Sequence, residues 1–472
     1  MKVFYICSEA TPFIKTGGLA DIAGSLPKEL KRKDIDISVV MPLYSKIKYN
    51  LEYQLEYIGY YYVDLSFKHI YTGVFKTVHN GVTHYFIDNE DYFNRDGLYG
   101  YDDDGERFGY FSKAVTVLFK YLNQKPDIVH TNDWHTALIN LFVRDFSRGD
   151  SFYSNIKLIY TIHNLKYQGI FPKSLLWFLG LDESYFNEEE LKFYDSINLM
   201  KCGIVFSDKF NTVSGTYALE VKHEFYGENL EGIIKKYDFK FRGILNGIDT
   251  SYWNPVNDKF IYQNYSLKTI DKKSINKLEL QKELGLKEDA ETPMFTLISR
   301  LVSMKGLDLI VRVIDEILQE NIQLVVLGTG DRKFEMIFRQ LSYRYPDKLR
   351  ALIKFDEATS HRLYAAADFL LMPSIIEPCG VSQMIAMRYA TLPIVRETGG
   401  LKDTVVPFNK YDNTGNGFSF ENINAHELLF TIKYAISIYK KESFYKLREN
   451  AMNTDSSWAK RADDYINMYK VL

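Results

Sequence analysis

The sequence predicts an α/β protein built from two doubly wound domains. At 472 residues, the chain is longer than the length at which a single hydrophobic core stops growing. Short runs that are apolar at nearly every position alternate with amphipathic helical stretches in both halves, which is typical of parallel sheets covered by helices on both faces. Because ligands of such sheets bind beyond the carboxyl ends of the strands, informative side chains are expected just after the apolar runs.

The apolar runs define the predicted elements. Strands in the first half are predicted at residues 2–8, 36–41, 127–130 and 157–163, and the tyrosine-rich segment 53–86 is predicted to insert further strands as hairpins. Strands in the second half are predicted at residues 294–299, 323–328, 351–355, 369–372 and 392–395. Helices are predicted over residues 22–30, 307–318 and 384–390. Turn residues at 245–249, followed by a polar stretch, place the first domain at 1–245 and the second from 246.

Composition excludes several classes of function. The net charge of −3 provides no broad attraction for nucleic acid or for an anionic membrane, so any site for an anionic ligand must be local. Three scattered cysteines, an odd number, argue against a disulfide framework and indicate a reduced compartment. Neither a signal peptide nor a run of about 18 apolar residues is visible, so a cytoplasmic location is expected.

The first motif follows the first predicted strand. Lys15, Gly17, Gly18 and Asp21 lead into the helix predicted at 22–30. Paired glycines allow a ligand to approach the backbone, and the free N–H groups at a helix start favour an anion. An ordinary glycine turn beside a solvated lysine would have the same local pattern. The motif is neither a Walker A loop nor the GxGxxG fingerprint that a nicotinamide-dependent dehydrogenase requires.

Histidines follow two later strands of the first half. His130 ends one predicted strand and is followed by His135, and His163 ends the next strand and opens a polar segment. Each could donate a hydrogen bond to a substrate hydroxyl, or could equally be a core histidine whose hydrogen bonds are satisfied. A metal held by His130 and His135 is disfavoured because no third ligand stands at a recognisable spacing.

Charged residues also follow two strands of the second half. Arg300 and Lys305 come directly after the predicted strand 294–299, and two cations in a strand–loop–helix unit suit a diphosphate, although they could be ordinary surface cations. Glu377 and Gly380 precede the helix predicted at 384–390. A carboxylate there can accept hydrogen bonds from sugar hydroxyls, although a plain helix-terminal carboxylate explains Glu377 alone almost as well.

Taken together, the motifs closely resemble the bacterial glycogen synthases and plant starch synthases. The pattern Lys-Thr-Gly-Gly-Leu-Ala-Asp at 15–21 is the hallmark of that family, and the other matches run in order to about residue 470. They lie at residues 132–135, 163–169, 246–249, 300–306, 377–380, 398–405 and 457–469.

The resemblance implies a retaining glycosyltransferase of the GT-B class, with two Rossmann-like domains and the donor held in a cleft between them. A helix after residue 457 would return to the first domain, giving domains at 1–245 and 246–455 and a closing helix at 456–472. By resemblance, the catalytic residues are His163, which meets the sugar C6 hydroxyl, Arg300 and Lys305, which hold the diphosphate, and Glu377, which holds glucose hydroxyls. Other donor-binding residues would be Lys15, Gly17, Gly18, Asp21, Asn246, Cys379 and Gly380, and the acceptor-binding residues would be Tyr92, Asp133 and Trp134.

The implied reaction transfers glucose from ADP-glucose to the 4-hydroxyl at the non-reducing end of an α-1,4-glucan, with retention. No metal or cofactor is expected, because two protein cations can neutralise the leaving diphosphate. Departures from the family pattern are Asp96, where proline is usual, and Val381-Ser382, where Leu-Thr is commoner, and they leave the acceptor preference open. Ile385 stands where wider GT-B relatives carry a second glutamate, as expected for the glycogen synthase branch.

Several alternatives stay open. The donor could be UDP-glucose, because the sequence does not fix the nucleotide, and the acceptor could differ from a glucan. A glucan phosphorylase would carry pyridoxal phosphate, which an absorbance scan would detect. A catalytically silent glucan-binding relative would share the fold, although the intact Lys15, His163, Arg300, Lys305 and Glu377 disfavour it. Oligomeric state, allosteric control and chain-length preference are not readable from the sequence.

Overall fold

The computed structural model describes all 472 residues, and the chain divides into two compact units. The first unit contains Met1–Asn246 and Trp458–Leu472, and the second contains Gly247–Ser457. Each unit is an α/β structure with its own sheet. None of the helices combines the length and the hydropathy of a membrane-spanning segment.

A nine-stranded sheet forms the centre of the first unit. A small three-stranded sheet lies in the same unit. The strands of the two sheets, in chain order, are β1 (Lys2–Ile6), β2 (Asp36–Pro42), β3 (Glu56–Leu65), β4 (Lys68–His79), β5 (Val82–Asp88), β6 (Ile128–Asn132), β7 (Lys157–Ile162), β8 (Ile170–Pro172), β9 (Lys192–Phe193), β10 (Ser196–Asn198), β11 (Lys209–Thr212) and β12 (Phe241–Gly243). The large sheet has the order β12-β11-β7-β6-β1-β2-β5-β4-β3, and the small one β8-β10-β9. Strands from β12 to β5 are parallel, whereas β4 and β3 are antiparallel.

The first-unit helices connect these strands. They are α1 (Gly18–Arg32), α2 (Ser45–Lys48), α3 (Glu90–Phe93), α4 (Asp104–Tyr121), α5 (Trp134–Phe146), α6 (Ser174–Leu179), α7 (Leu199–Phe206), α8 (Gly215–Glu220), α9 (Glu224–Gly227) and α10 (Glu231–Lys236). Central strands are buried along their length, as the near-continuous apolar runs predict. Strands β3 and β4 form the hairpin predicted within residues 53–86. Strand β3 is the edge of the sheet, and many side chains of both strands are exposed or half-buried.

The second unit has a six-stranded sheet in which every pair is parallel. Its strands are β13 (Met294–Ile298), β14 (Gln323–Leu327), β15 (Leu349–Leu352), β16 (Phe369–Met372), β17 (Leu392–Arg396) and β18 (Phe418–Phe420), in the order β15-β14-β13-β16-β17-β18. Its helices are α11 (Lys273–Glu283), α12 (Leu307–Arg312), α13 (Ile314–Gln319), α14 (Arg332–Arg344), α15 (Glu357–Ala366), α16 (Ser382–Arg388), α17 (Gly399–Thr404), α18 (Ala425–Ile438) and α19 (Glu442–Asn453).

Three predicted elements of the second half differ from the structure by two or more residues. The helix predicted at 384–390 spans Ser382–Arg388. The helix predicted at 307–318 is divided into α12 and α13, because Val313 leaves helical geometry with φ −119° and ψ 18°. The strand predicted at 351–355 instead spans Leu349–Leu352. Beyond it Phe355 is exposed and Lys354 pairs with Asp356, so the last residues of the predicted run lie outside the sheet.

The chain ends in helix α20 (Trp458–Lys470), which belongs to the first unit and packs on α1. A buried hydrogen-bond relay attaches it to the sheet. Thr161 Oγ1 donates its only proton to Asn211 Oδ1 (2.8 Å), so it accepts a hydrogen bond from Nε2–H of His130 (2.7 Å). With the proton on Nε2, His130 Nδ1 accepts a hydrogen bond from the hydroxyl of Tyr469 on α20 (2.8 Å). His130 thus uses both ring nitrogens within the core, and burial lowers its pKa to about 3.

Candidate active site

In each unit the strand order reverses at one point, which is where parallel α/β sheets bind ligands. In the first unit β1 lies between β2 and β6, so the loop after β1 and the residues after β6 meet at the same edge. In the second unit β13 lies between β14 and β16, which brings the loops after β13 and β16 together. Most of the predicted site residues stand at these two switch points.

The β1–α1 loop provides a cation and an uncapped helix start. Helix α1 begins at Gly18, and its N-cap, Gly17, has no side chain to accept a hydrogen bond from the first-turn N–H groups. Lys15 Nζ lies 2.7 Å from Asp21 Oδ1 in the first turn of the helix. The predicted group Lys15, Gly17, Gly18 and Asp21 is therefore one local structure, suited to an anion by its helix dipole and its lysine.

Glu9 supports this loop, and the sequence analysis did not identify it. Its Oε2 accepts hydrogen bonds from the backbone N–H of Thr16 (2.5 Å) and from the Thr16 hydroxyl (2.7 Å). Burial raises the pKa of the Glu9 carboxyl, opposed by these two hydrogen bonds. A carboxylate so close after a buried strand was the available signal, because such a group must find partners in its own loop.

The half-buried imidazole of His163 has one ring nitrogen without a hydrogen-bond partner. Asn132 Nδ2 donates to the Ile6 carbonyl (2.9 Å), which fixes the amide orientation and leaves Oδ1 as the acceptor facing the ring. His163 Nε2 lies 2.9 Å from that oxygen and must therefore carry the proton. Burial lowers the His163 pKa to about 3, so the ring is neutral and its Nδ1, buried and without a partner, is a free acceptor.

Asp133 stands at the end of β6 in an unusual backbone conformation, with φ 54° and ψ −179°. Its Oδ1 accepts the backbone N–H of His163 at 2.8 Å, so the carboxyl bridges the ends of β6 and β7. Burial raises the Asp133 pKa to about 7, partly offset by N–H donors from His163 and Asn164. Strain and a shifted pKa at one residue are typical of functional positions.

The other predicted first-unit residues are largely buried. Trp134 stacks on His135 with ring centroids 4.0 Å apart and contacts Phe108 and Phe171. The Tyr92 hydroxyl donates to Glu106, and Asn246 is buried with its Oδ1 unpaired. The indole of Trp134 is therefore held rigidly by neighbouring rings, and Asn246 has an acceptor free for a ligand.

The second-unit site depends on a close approach between the loops after β13 and β16. Gly306 has φ 69°, and a Cβ there would lie 1.8 Å from the Pro373 carbonyl oxygen, so only glycine allows this contact. The backbone N–H of Ile375 donates to the Met304 carbonyl at 2.9 Å. These contacts bring Lys305 to Glu377 although the two residues are 72 positions apart. Arg300 begins the same loop, two residues beyond the end of β13.

Lys305 and Glu377 form an ion pair, with Nζ 2.6 Å from Oε2. Ser374 Oγ donates to the same oxygen at 2.9 Å, and both carboxylate contacts lie in a largely buried environment. A buried pair of this kind holds each charge in place, and a polyanionic ligand can compete for the lysine.

The loop carrying Cys379 and Gly380 is fastened by one side chain. Gln383 Nε2 lies within hydrogen-bonding distance of the carbonyls of Cys379 (3.0 Å) and Gly380 (3.1 Å) and of Thr404 Oγ1 (3.1 Å), and its two protons are shared among these three acceptors. Arg396 further donates to the carbonyls of Ser374 and Ile375. The backbone around Glu377 is therefore rigidly supported from both sides.

Comparison with known proteins identifies the family. Residues 2–236 match the starch synthase catalytic domain, and residues 278–454 match glycosyl transferases group 1. The chain is 54% identical over 471 residues to a glycogen synthase of Finegoldia magna, covering 100% of this chain and 99% of that protein. It is 50% identical over 473 residues to a glycogen synthase of Clostridium acetobutylicum, covering 99% of each.

Solved structures agree with the sequence comparison. The catalytic domain of starch synthase IV from Arabidopsis thaliana, bound to ADP and acarbose, superposes with a TM-score of 0.94 at 34% identity, covering 100% of this chain and 99% of that one. Sucrose-phosphate synthase from Thermosynechococcus elongatus has a TM-score of 0.64 at 15% identity, covering 100% and 98%, and so shares the fold. The predicted GT-B α/β fold class is confirmed. The chain belongs to the glycogen synthase and starch synthase family of glycosyltransferases.

Proposed function

We propose that this enzyme transfers glucose from ADP-glucose to the 4-hydroxyl at the non-reducing end of an α-1,4-glucan, with retention of anomeric configuration. Support comes from full-length relatives named glycogen synthase and from a starch synthase structure with ADP and acarbose bound. Acarbose is an oligosaccharide analogue, so that structure pairs a nucleoside diphosphate with a sugar chain on the same fold.

The observation that carries the proposal is the Lys305–Glu377 pair, with Arg300 on the same loop at the switch point of the second unit. A donor diphosphate is attracted to both cations, Arg300 as a planar fork and Lys305 as a point charge. As Lys305 turns to phosphate, Glu377 becomes able to accept glucose hydroxyls. Donor binding then replaces the Lys305–Glu377 ion pair by a contact of Lys305 with phosphate and a contact of Glu377 with glucose.

The first unit contributes groups of matching chemistry. Lys15 and the uncapped start of α1 suit negative charge. His163 Nδ1 suits a sugar hydroxyl, because a neutral imidazole with its other nitrogen already donating can only accept at that position. We assign donor-binding roles also to Gly17, Gly18, Asp21 and Asn246, and in the second unit to Cys379 and Gly380.

The acceptor side is assigned to Asp133, Trp134 and Tyr92. A rigid indole edge and a carboxyl with a pKa of about 7 are groups that can position a sugar ring and hold a hydroxyl proton. In the reaction the bond between glucose C1 and the phosphate oxygen breaks, and a bond forms between C1 and the acceptor O4.

The acceptor proton leaves with the departing diphosphate in the front-face route that the family resemblance implies. Arg300 and Lys305 stabilise the charge that develops on that diphosphate, which is the largest contribution to be expected in such a site.

A donor panel tests the proposal. Purified enzyme is incubated with glycogen and with ADP-, UDP- or GDP-glucose, and nucleotide release and polymer length are followed together. We expect turnover with ADP-glucose at a kcat/KM at least about tenfold above the other donors, with one glucose added per nucleotide released. Turnover with UDP-glucose alone would overturn the donor assignment, and release without polymer growth would overturn the transferase assignment.

A further inference from the structure

Three consecutive residues of helix α4 support the side of the site to which the acceptor is assigned. The Tyr92 hydroxyl donates to Glu106, and Arg107 Nε donates to the Tyr92 carbonyl at 2.7 Å. The ring of Phe108 meets the Trp134 indole at 79°, with the centroids 5.2 Å apart. Because successive helical side chains point about 100° apart, a single turn of α4 can reach both Tyr92 on α3 and Trp134 on α5.

Arg107 is the central residue of this group, and its side chain is completely buried. Besides the Tyr92 carbonyl, it binds the Leu98 carbonyl through Nη1 at 3.2 Å, and it forms an ion pair with Asp104. Asp104 Oδ2 in turn accepts the backbone N–H of Gly100 at 2.7 Å. The guanidinium and its carboxylate partner therefore hold three backbone groups of the segment that runs from α3 to α4.

Aromatic rings surround the guanidinium group of Arg107. Its Cζ lies 5.0 Å from the ring centroid of Tyr101, 5.3 Å from that of Phe108 and 5.7 Å from that of Phe93. These rings exclude water, which strengthens the hydrogen bonds to the loop carbonyls. Nη2, however, is buried without a partner, which lowers stability. A buried ion pair with an unused donor is not the arrangement that stability alone would favour, and this indicates a functional reason for it.

The loop between α3 and α4, residues 94–103, also lies against the ring system of Trp134. The Tyr99 ring, directly after the Leu98 carbonyl that Arg107 holds, lies 4.5 Å from the ring of His135, measured between centroids. His135 stacks on Trp134 at 4.0 Å. A displacement of this loop would therefore move a ring that packs beside the indole, and it would move the end of α3 that carries Tyr92.

We propose that Arg107 is a positioning residue for the acceptor, which holds Tyr92 and the loop of residues 94–103 in the place where a glucan end binds and does not itself touch the glucan. The identity of the acceptor rests on the proposed function. An arginine suits this task because its planar fork binds carbonyls that lie in different directions, whereas a lysine ammonium acts from a single point. Loosening the loop weakens acceptor binding and leaves donor binding unchanged.

The test compares the wild type with Arg107→Lys, which keeps a cation beside Asp104 and removes the fork. We expect the dissociation constant for maltotetraose, measured by titration calorimetry without donor, to rise about tenfold, and the KM for maltotetraose to rise in parallel. The KM for ADP-glucose should stay within about twofold of the wild type. Backbone amide exchange in residues 94–103 should become at least about tenfold faster, because the loop has lost its anchor.

Arg350→Lys is the matched control, since Arg350 also holds loop carbonyls, those of Leu284 (2.7 Å) and Gly285 (2.8 Å) in the second unit. It should lower the melting temperature without changing either KM or the amide exchange in residues 94–103. If Arg107→Lys melts below the assay temperature, the Arg107→Gln/Asp104→Asn double variant takes its place, because it leaves no unpaired buried charge, and the same rise in the KM for maltotetraose is expected.

Wild-type affinity for maltotetraose in Arg107→Lys would overturn the proposal, as would an equal rise in the KM values for maltotetraose and ADP-glucose. Unchanged amide exchange in residues 94–103 would also overturn it, because other contacts would then be holding the loop. Calorimetry and amide exchange need no donor. A wild type that binds maltotetraose and extends nothing would therefore reject the proposed function and leave the role of Arg107 standing.

Discussion

Replacing Lys305 by alanine tests the charge contact on which the proposed chemistry depends. The variant removes the cation that lies 2.6 Å from Glu377 and leaves that carboxylate with Ser374 as its remaining side-chain partner. We expect kcat/KM with ADP-glucose to fall about 100- to 1000-fold, the loss typical of removing one preorganised group that stabilises transition-state charge. Most of the loss should appear in kcat, because charge on the diphosphate grows as the bond to C1 breaks.

The structure supports that magnitude. Lys305 is 18% exposed and Glu377 8% exposed as side chains. At an effective dielectric constant of about 20, unit charges at 2.6 Å attract by about 6 kcal/mol before desolvation offsets much of it. A multiply charged diphosphate next to Lys305 gains attraction of this order, so it can displace Glu377 from the lysine. When Lys305 is replaced by alanine, part of that attraction is lost, which corresponds to about 3–4 kcal/mol in the activation barrier.

The assay is initial-rate ADP release at saturating glycogen, with two comparison variants. Lys305→Arg keeps the charge with a different geometry and should lose about tenfold or less. Lys333→Ala removes an exposed lysine from its pair with Asp308 and should leave the rate unchanged. A Lys305→Ala enzyme within threefold of wild type in kcat/KM would refute the reasoning.

Three further predictions concern side chains of the first unit. Asp133→Asn should raise the melting temperature at pH 7.5 while lowering activity. The folded pKa of Asp133, about 7, lies above the usual 3.8, so ionisation of this carboxyl destabilises the wild type by up to about 4 kcal/mol as pH rises from about 4 to 7. The gain in melting temperature should therefore vanish in melting scans near pH 4. Glu9→Ala should raise the donor KM about tenfold or more, because it releases the loop that contains Thr16. Glu9→Gln keeps an acceptor oxygen and should raise the donor KM less. Equal donor KM in both variants and the wild type would contradict this. Tyr469→Phe should destabilise the first unit by about 1–3 kcal/mol, since it leaves His130 Nδ1 buried without a donor; an unchanged urea midpoint would contradict this.

Much of the fold could be predicted from the sequence because both central sheets are buried on two faces. Strands such as Lys2–Ile6 and Gln323–Leu327 are apolar at every position after the first, so their place in the chain is visible in the residues themselves. The rule that ligands bind after such strands located Lys15, Asp133, Arg300 and Glu377 near the switch points of their sheets.

Other features depend on long-range packing that no local pattern records. The contact of Lys305 with Glu377 requires the close approach of Gly306 to Pro373. The neutral state and tautomer of His163 depend on an amide that is oriented by a carbonyl of another strand. A local pattern also could not show that Val313 interrupts a helix whose apolar period continues across it.

The most direct test of the account is to follow wild-type enzyme with ADP-glucose labelled at C1 and maltotetraose as acceptor by NMR. The account predicts equal amounts of ADP and of newly formed α-1,4-linked glucose at the non-reducing end. Free glucose in place of a lengthened chain, a β-linked product, or no consumption of the donor would contradict it.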